Sequence, residues 1–421
     1  MLQWIDMHPY NAVHVVHIPG VLNLERLRAS IDGCLEKLGL TNLALERDRA
    51  VFAYFGGATR SEVRLIADVG NVQQALEIEI TRQINTAFAA VERFNPFRFF
   101  VVAGADSFFL GLVYFHPVAD AESIVHLLKR MVDAYLARTN GEAADSLRLY
   151  PPRFDNLQWR SPLLLAKKIR ALPALMRSLG RSWRPPYGDL GDFANGFVLF
   201  SLPSESLRLL TAASKSWDIT MNDLFLALLL KSLSGFAVDR MQERRRRRIS
   251  VGCIVNLRKD LALASRETFG LFLGSFVVSH EVPDGISLMN LALDVRRQTR
   301  VIKDQKLSLA TSTEMNIARV VASFSSTENR NRFYRKHYPL SGGITNMNLN
   351  FLWDEAGREK SPDYFRAVST GPVTPFVLSI TTANDRINVG MTYRTTVFSR
   401  PQIEGVKAEF LGGLSQLAPP A

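Results

Sequence analysis

A histidine and an aspartate four residues apart are the side chains best placed for chemistry in this sequence. The segment Phe115-His-Pro-Val-Ala-Asp-Ala121 follows an apolar run at 107–115. That run predicts a strand buried on both faces. Residues 122–138 carry an apolar stripe at helical spacing, which predicts an amphipathic helix. The strand would deliver His116 into a short loop with Asp120 at the helix start, a suitable position for a general base held by a second residue.

Length and composition limit the class of protein. A chain of 421 residues exceeds one ordinary core, so we expect two domains. Its 47% apolar and 22% charged residues fit a globular enzyme. We find neither an apolar run of roughly 20 residues, as a membrane-spanning helix needs, nor the pattern of a signal peptide. These features predict a cytoplasmic protein.

The cysteines and histidines do not predict a metal site. Cys34 and Cys253 lie far apart, and no CxxC or HExxH motif is present. His14 and His17 are three residues apart on a predicted strand, so their side chains should face opposite sides. We therefore expect neither a bound metal nor a disulfide scaffold.

The charge balance favours an anionic partner. Lys and Arg number 51 against 40 Asp and Glu, which gives a net charge of +11. Part of this excess is the run Arg244–Arg248, which we interpret as a solvated loop in preference to a binding patch. No zinc-finger spacing, RNP-like motif or basic heptad helix accompanies it, so we do not expect nucleic-acid binding.

Three regions follow one another along the chain. Residues 1–150 alternate predicted strands and helices and form an N-terminal lobe. Residues 151–196 are rich in proline and read as a connection. Residues 197–421 alternate again and form a C-terminal lobe. The pattern predicts an α/β protein with two similar lobes.

The connection contains a basic amphipathic segment at 163–179. Pro173 inside it predicts a kink. We favour a helix packed across the two lobes. The alternative is a surface that contacts a long acyl chain or, peripherally, the inner membrane.

These segments, taken in order, resemble the condensation-domain and chloramphenicol-acetyltransferase-like superfamily. Its motif His-His-x-x-x-Asp-Gly is matched in part by His116-x-x-x-Asp120. Later segments resemble its second-lobe helix, its Asn-x-Arg strand end, its glycine loop and its Ser-Asn strand, in that order: Ile219–Leu229, Val255–Arg258, Phe269–Gly274 and Ser341–Asn346. The resemblance covers nearly the whole chain. It implies a CoA-dependent acyltransferase-like fold of two lobes, each a mixed sheet packed with helices, with an active-site tunnel between them.

The resemblance also implies a reaction. The chain would move an acyl group from a thioester to a hydroxyl or amine, with His116 Nε2 taking the acceptor's proton. Neutral imidazole suits this role, since its ordinary pKa is about 6.5. The thioester of coenzyme A or phosphopantetheine would be the co-substrate, with no tightly bound cofactor. The expected partners are an acyl-CoA or an acidic acyl-carrier protein and a small-molecule or lipid-like acceptor.

Three further residues take their expected roles from the same resemblance. Asp120 would be a structural carboxylate paired with Arg258, a role compatible with capping the following helix. Exposure at a strand end is the alternative for Arg258. Asn346, together with Thr345 and Ser341, would offer hydrogen bonds near the tunnel, or be an ordinary strand-end residue.

Two departures from the motif leave a second hypothesis open. Phe115 occupies the position of the first motif histidine, and Ala121 that of the glycine. Alanine keeps the backbone N–H but restricts the backbone more than glycine does. The alternative to an acyltransferase is therefore a catalytically degenerate relative that binds an acyl carrier or a lipid.

Overall fold

The computed structural model describes most of the chain. The described residues are 7–46, 51–67, 69–89, 92–138, 147–150, 162–264, 267–311, 326–354 and 360–417. Within them the strands are β1 (Asn11–Pro19), β2 (Leu43–Glu46), β3 (Val51–Tyr54), β4 (Val63–Ile66), β5 (Arg93–Phe94), β6 (Phe97–Ala103), β7 (Ser107–Phe115), β8 (Arg148–Leu149), β9 (Asn195–Leu202), β10 (Ile249–Asn256), β11 (Thr268–Phe269), β12 (Leu273–His280), β13 (Gly342–Asn348), β14 (Tyr364–Val368), β15 (Phe376–Ala383) and β16 (Arg386–Arg394).

The helices alternate with these strands over much of the chain. They are α1 (Leu24–Lys37), α2 (Val72–Asn85), α3 (Ala121–Tyr135), α4 (Pro162–Gly180), α5 (Ser204–Ser216), α6 (Met221–Phe236), α7 (Leu288–Asp304), α8 (Thr327–His337), α9 (Leu349–Trp353) and α10 (Arg400–Ser415). Local sequence sets several starts. The Asn23 side chain accepts from the Arg26 N–H at α1, and Thr220 forms a capping box with Asp223 at α6.

The first lobe contains a five-stranded mixed sheet in the order β14-β1-β7-β6-β4. Strand β7, predicted from its apolar run, is buried along nearly its whole length and pairs antiparallel with β1 and β6. Helix α3 packs its apolar stripe into the core of this lobe. Burial on both faces makes β7 a rigid support for the loop that follows it.

The second lobe contains a six-stranded mixed sheet in the order β12-β10-β13-β15-β16-β9. Strands β10, β13 and β15 run parallel, whereas the outer pairings are antiparallel. The largely apolar helix α6 packs into the core against this sheet. Both lobes are thus mixed sheets packed with helices, which confirms the predicted α/β architecture.

One strand crosses between the lobes. β14 lies late in the chain, yet it pairs with β1 at the edge of the first sheet. A Cβ atom at Gly390 on β16 would overlap the carbonyl oxygen of Arg366 on β14, so glycine permits this close approach. The boundaries proposed from the sequence, with 197–421 as one C-terminal lobe, do not describe this crossover. A five-residue strand gives no signal of which sheet it joins.

Other differences from the sequence predictions are local. The apolar run at 276–282 predicts a strand, and the observed strand β12 runs from Leu273 to His280. The helical pattern at 72–88 predicts a helix, and the observed helix α2 ends earlier, at Asn85. Helix α8 was not predicted, because it is strongly polar and buries few side chains. The basic run Arg244–Arg248 lies in a mostly exposed loop before strand β10, as predicted.

The predicted connection is only partly described. Helix α4 continues through Pro173 to Gly180. Residues 151–161 lie outside the described residues, as do the side chains at 162–165 and 167–169. In the second half of α4, Leu172 and Met176 are exposed, whereas Leu179 is buried.

No single described helix has both the length and the apolar composition needed to cross a membrane. Helices α5 and α6 meet that test only when they are taken together, with a bend of 108° between them.

Candidate active site

His116 begins a short loop directly after β7. A turn of 3-10 helix covers His116–Val118, and its second residue is proline, which suits the start of a helical turn. The His116 backbone N–H donates to the Tyr10 carbonyl at 2.9 Å, and the Ala119 N–H donates back to the His116 carbonyl. The backbone of the histidine is therefore fixed from both sides.

The imidazole ring of His116 is held in one orientation. Its Nδ1 lies 3.1 Å from the carbonyl oxygen of Ala119. A carbonyl oxygen only accepts, so Nδ1 carries the proton and Nε2 keeps its lone pair. Burial lowers the pKa of His116 below its ordinary value, more than the Ala119 carbonyl and Asp120 raise it. The ring is therefore neutral at pH 7, with Nε2 ready to accept a proton.

His116 lines a cavity of about 700 Å³ between the two lobes. Tyr10, His14, Tyr114 and Ala121 contribute from the first lobe, while β12, β13 and β15 and the segment after β14 contribute from the second. Most of the lining is apolar or glycine. A cavity of this size is typical of a small-molecule site.

Asp120 is a buried carboxylate whose described hydrogen bonds come from two backbone N–H groups and one arginine side chain. It caps helix α3 by accepting from the Ser123 N–H at 2.9 Å. The same oxygen accepts from an Arg258 Nη at 2.9 Å, and the other oxygen accepts from the Phe272 N–H at 3.0 Å. The exposed fraction is 1% for Asp120 and 3% for Arg258.

Arg258 and Asn256, from the Asn-x-Arg segment, meet the first turn of α3. Arg258 also donates to the Ser123 hydroxyl at 2.6 Å and lies 3.4 Å from Glu122. The Asn256 amide donates to Glu122 as well. The end of β10 therefore holds the start of α3 by charge and by hydrogen bonds, which joins the second lobe to the histidine loop.

The segment around Gly270 also holds the start of α3 and the loop before it. The Asp120 N–H donates to the Gly270 carbonyl at 2.9 Å, and the Gly270 N–H donates to the Ser123 hydroxyl at 3.1 Å. From the other side, the Tyr150 hydroxyl donates to the carbonyl of Val118. The loop from 116 to 120 is thus fixed by contacts with residues that are distant from it in sequence.

The two departures from the motif are accommodated by this structure. Phe115 is buried in an aromatic cluster, with ring centroids 6.1 Å from Phe88 and 5.8 Å from Phe94. Ala121 is the first residue of α3 and has an ordinary negative φ, so its backbone does not require glycine. Ala121 also lines the cavity.

Asn346 is placed differently from the other predicted site residues. It lies half-buried on β13, where the lining residues are Gly343, Ile344 and Thr345. Ser341 is buried, and its hydroxyl has no hydrogen-bond partner among the described residues. Of the three polar residues named from this segment, the structure brings Thr345 to the cavity.

Two cavity residues were not singled out as site residues from the sequence. His14 and Arg366 face each other across β1 and β14. The His14 Nδ1 lies 2.7 Å from the Tyr364 hydroxyl, and burial lowers its pKa well below the ordinary value. Strand alternation placed His14 and His17 on opposite faces, as observed. Nothing local to Arg366 signals its position, because β14 is short and joins the other lobe's sheet.

Among the described residues, no cluster of three or more histidine, cysteine, aspartate or glutamate side chains could hold a metal ion.

Comparisons with known proteins give matches by structure and none by sequence. No protein-family model and no curated protein matches the sequence. The condensation domain of the monacolin K polyketide synthase MokA superposes with a TM-score of 0.70 at 11% identity, covering 98% of this chain and 94% of that one. The first condensation domain of the CDA synthetase gives 0.69 at 15% identity, covering 98% and 92%. The epimerization domain from the third module of tyrocidine synthetase B gives 0.63 at 13%, covering 97% and 91%. The chain therefore has the condensation-domain fold, which confirms at the level of the fold the resemblance carried by its sequence.

Proposed function

We propose that this protein is an acyltransferase that moves an acyl group from a thioester to a hydroxyl or amine, with His116 as the general base. One observation carries the proposal: a neutral imidazole, with its Nδ1–H fixed by the Ala119 carbonyl and its Nε2 free to accept a proton, belongs to a residue that lines the cavity between the lobes. Condensation and epimerization domains are among the similar structures. Because one fold hosts several reactions, the site and not the fold decides between them.

The proposed step needs one proton relay and one site for an oxyanion. The acceptor oxygen or nitrogen attacks the thioester carbonyl carbon while its proton passes to His116 Nε2. The tetrahedral intermediate places negative charge on the former carbonyl oxygen, which the Ala121 N–H at the start of α3 would stabilise. The carbon–sulfur bond then breaks, and the leaving thiolate takes the proton from Nε2.

Asp120 has a positioning role in this scheme. Its oxygens are occupied by Ser123, Arg258 and Phe272, so it does not hydrogen-bond the His116 ring. Together with Arg258 it would hold the loop that carries His116. Asn346 would act indirectly, next to Thr345 at the cavity wall.

A carrier protein is the proposed donor partner, with acyl-CoA as the alternative. Condensation domains of synthetases are the structural neighbours, and the net charge of +11 would favour an acidic carrier protein or the phosphates of coenzyme A. The acyl chain and the acceptor would occupy the largely apolar cavity as substrates, without a resident cofactor.

The proposal is tested by a donor panel with mass-spectrometric detection of products. Acyl-CoA thioesters and acyl-loaded carrier proteins are offered with alcohol and amine acceptors. We expect product from wild-type protein and none above background from His116→Ala. His17→Ala is the matched control, because His17 lies on β1 with its side chain away from the cavity. Binding of loaded donors without any turnover would instead support the non-catalytic relative.

A further inference from the structure

Arg366 is a buried cation that has no anionic partner among the described residues. Its exposed fraction is 4%. Its Nε donates to the Thr381 hydroxyl at 2.8 Å, and one terminal nitrogen donates to the Thr345 and Ile380 carbonyls. These acceptors are all neutral. Within the part of the chain that the structure describes, no aspartate or glutamate pairs with it.

This arrangement carries an electrostatic cost. A buried charge is costly unless it is paired. Burial lowers the pKa of Arg366 to about 10, which still leaves it charged at pH 7. The other terminal nitrogen has only a long contact of 3.4 Å, to the Thr345 hydroxyl. A strong acceptor at that nitrogen would complete the hydrogen bonding of the guanidinium and neutralise it.

The position of Arg366 connects this charge to the cavity. Arg366, His14 and Thr345 all line it. No other residue lining the described cavity is arginine or lysine, and none is aspartate or glutamate. The two lining histidines, His14 and His116, have lowered pKa values and are neutral at pH 7. The cavity wall therefore carries one net positive charge in largely apolar surroundings.

We propose that Arg366 binds a carboxylate of the substrate, so that this cavity takes a monoanionic molecule with an apolar body. A single guanidinium balances one carboxylate, whereas a phosphate monoester would leave uncompensated negative charge. The apolar lining accommodates the remainder of the molecule. The inference rests on the proposed function for its substrate class, since the carboxylate would belong to the acyl donor or to the acceptor bound near His116.

Charge-assisted hydrogen bonds make the effect measurable. A planar guanidinium matches a carboxylate in geometry, and such bonds contribute more than neutral ones. Losing the charge from either partner should weaken binding roughly 10- to 100-fold. The same loss should be small for a ligand that is already neutral.

The test is calorimetric titration of the full chain at pH 7 with hexanoate, octanoate and the corresponding amides. Wild-type protein should bind each acid at least about tenfold more tightly than its amide. Arg366→Gln should abolish that preference, and Arg366→Lys should keep part of it. Inorganic phosphate should not displace octanoate.

Arg240→Gln is the matched control for loss of a buried arginine. Arg240 is 3% exposed and donates to carbonyls, but it lies outside the cavity. His116→Ala should retain the preference for acids, so the binding test can fail or succeed independently of acyl transfer. Equal affinity for acid and amide in wild type, or a preference that survives in Arg366→Gln, overturns the proposal. The wild-type comparison holds even where a variant does not fold.

Discussion

The side chains around His116 explain why the motif can depart from its usual form. Phe115 contributes a packed ring to the first-lobe core and not a second imidazole. The backbone of Ala121 is helical and needs no glycine. At the scale of residues, the proposed chemistry depends on one imidazole, its hydrogen bond to Ala119 and the contacts that fix residues 116–120.

Restoring the motif histidine should therefore harm the protein. In Phe115→His a polar imidazole replaces a buried ring that packs against Phe88 and Phe94, which should cost about 1–3 kcal/mol of the free energy of unfolding. Urea titration measures the loss, and acyl transfer should not increase. A faster variant would show that Phe115 limits catalysis.

The Asp120–Arg258 pair should behave as a structural unit. Asp120→Asn keeps a helix-capping side chain but removes one charge of a buried pair, so the free energy of unfolding should fall by about 3–5 kcal/mol. Adding Arg258→Met should recover part of the loss. Asp133→Asn, which breaks a more exposed pair with Lys129, should cost at most about 1 kcal/mol. Normal stability with lost turnover would instead make Asp120 a catalytic residue.

At the scale of elements, the loop from 116 to 120 is held by Tyr150, by Arg258 and by the segment 270–272. All of these residues are distant from the loop in sequence. Strand β7 and helix α3 could be predicted, because apolar runs and helical periodicity are local signals. The partner Arg258 followed from the family resemblance alone. The Tyr150 and Gly270 contacts could not be predicted, since they depend on tertiary packing around a tight turn.

The Tyr150 contact can be tested separately. Tyr150→Phe leaves the Val118 carbonyl without its donor, so it should cost about 1–3 kcal/mol and lower kcat by loosening the loop. Tyr135→Phe is the control: its hydroxyl hydrogen-bonds Val21 and Asn23, away from this loop. A matching fall in kcat for Tyr135→Phe would mean that general stability, and not loop position, sets the rate.

At the scale of the whole molecule, a cavity lies between two lobes built on mixed sheets, and its described lining carries a single charge. The α/β class and two lobes could be predicted from alternating patterns. The crossover of β14 and the resulting position of Arg366 could not be predicted, because strand pairing between distant segments leaves no local signal in the sequence.

Buried histidines should make the fold sensitive to mild acid. Burial lowers the pKa of His8 to about 4 and that of His14 well below 6.5. From pH 6.5 down to about 4 the unfolded chain binds more protons than the folded one, so the free energy of unfolding falls as pH falls. His8→Phe should flatten this slope between pH 7 and 5.5, because it removes one of the two histidines that cause it. Phenylalanine preserves the stacking on Phe193, so the packing changes little. An unchanged slope in urea titrations would contradict the burial of a neutral His8.

The pH dependence of kcat/KM for acyl transfer, measured for wild type and His116→Ala, tests the role of His116 most directly. Wild type should lose activity on the acid side with an apparent pKa below 6.5, because burial lowers the pKa of His116. His116→Ala should be slower by about 10²–10⁴ and should lack that acid limb. Undiminished turnover in His116→Ala, or an acid limb that persists in it, would contradict general-base catalysis by His116.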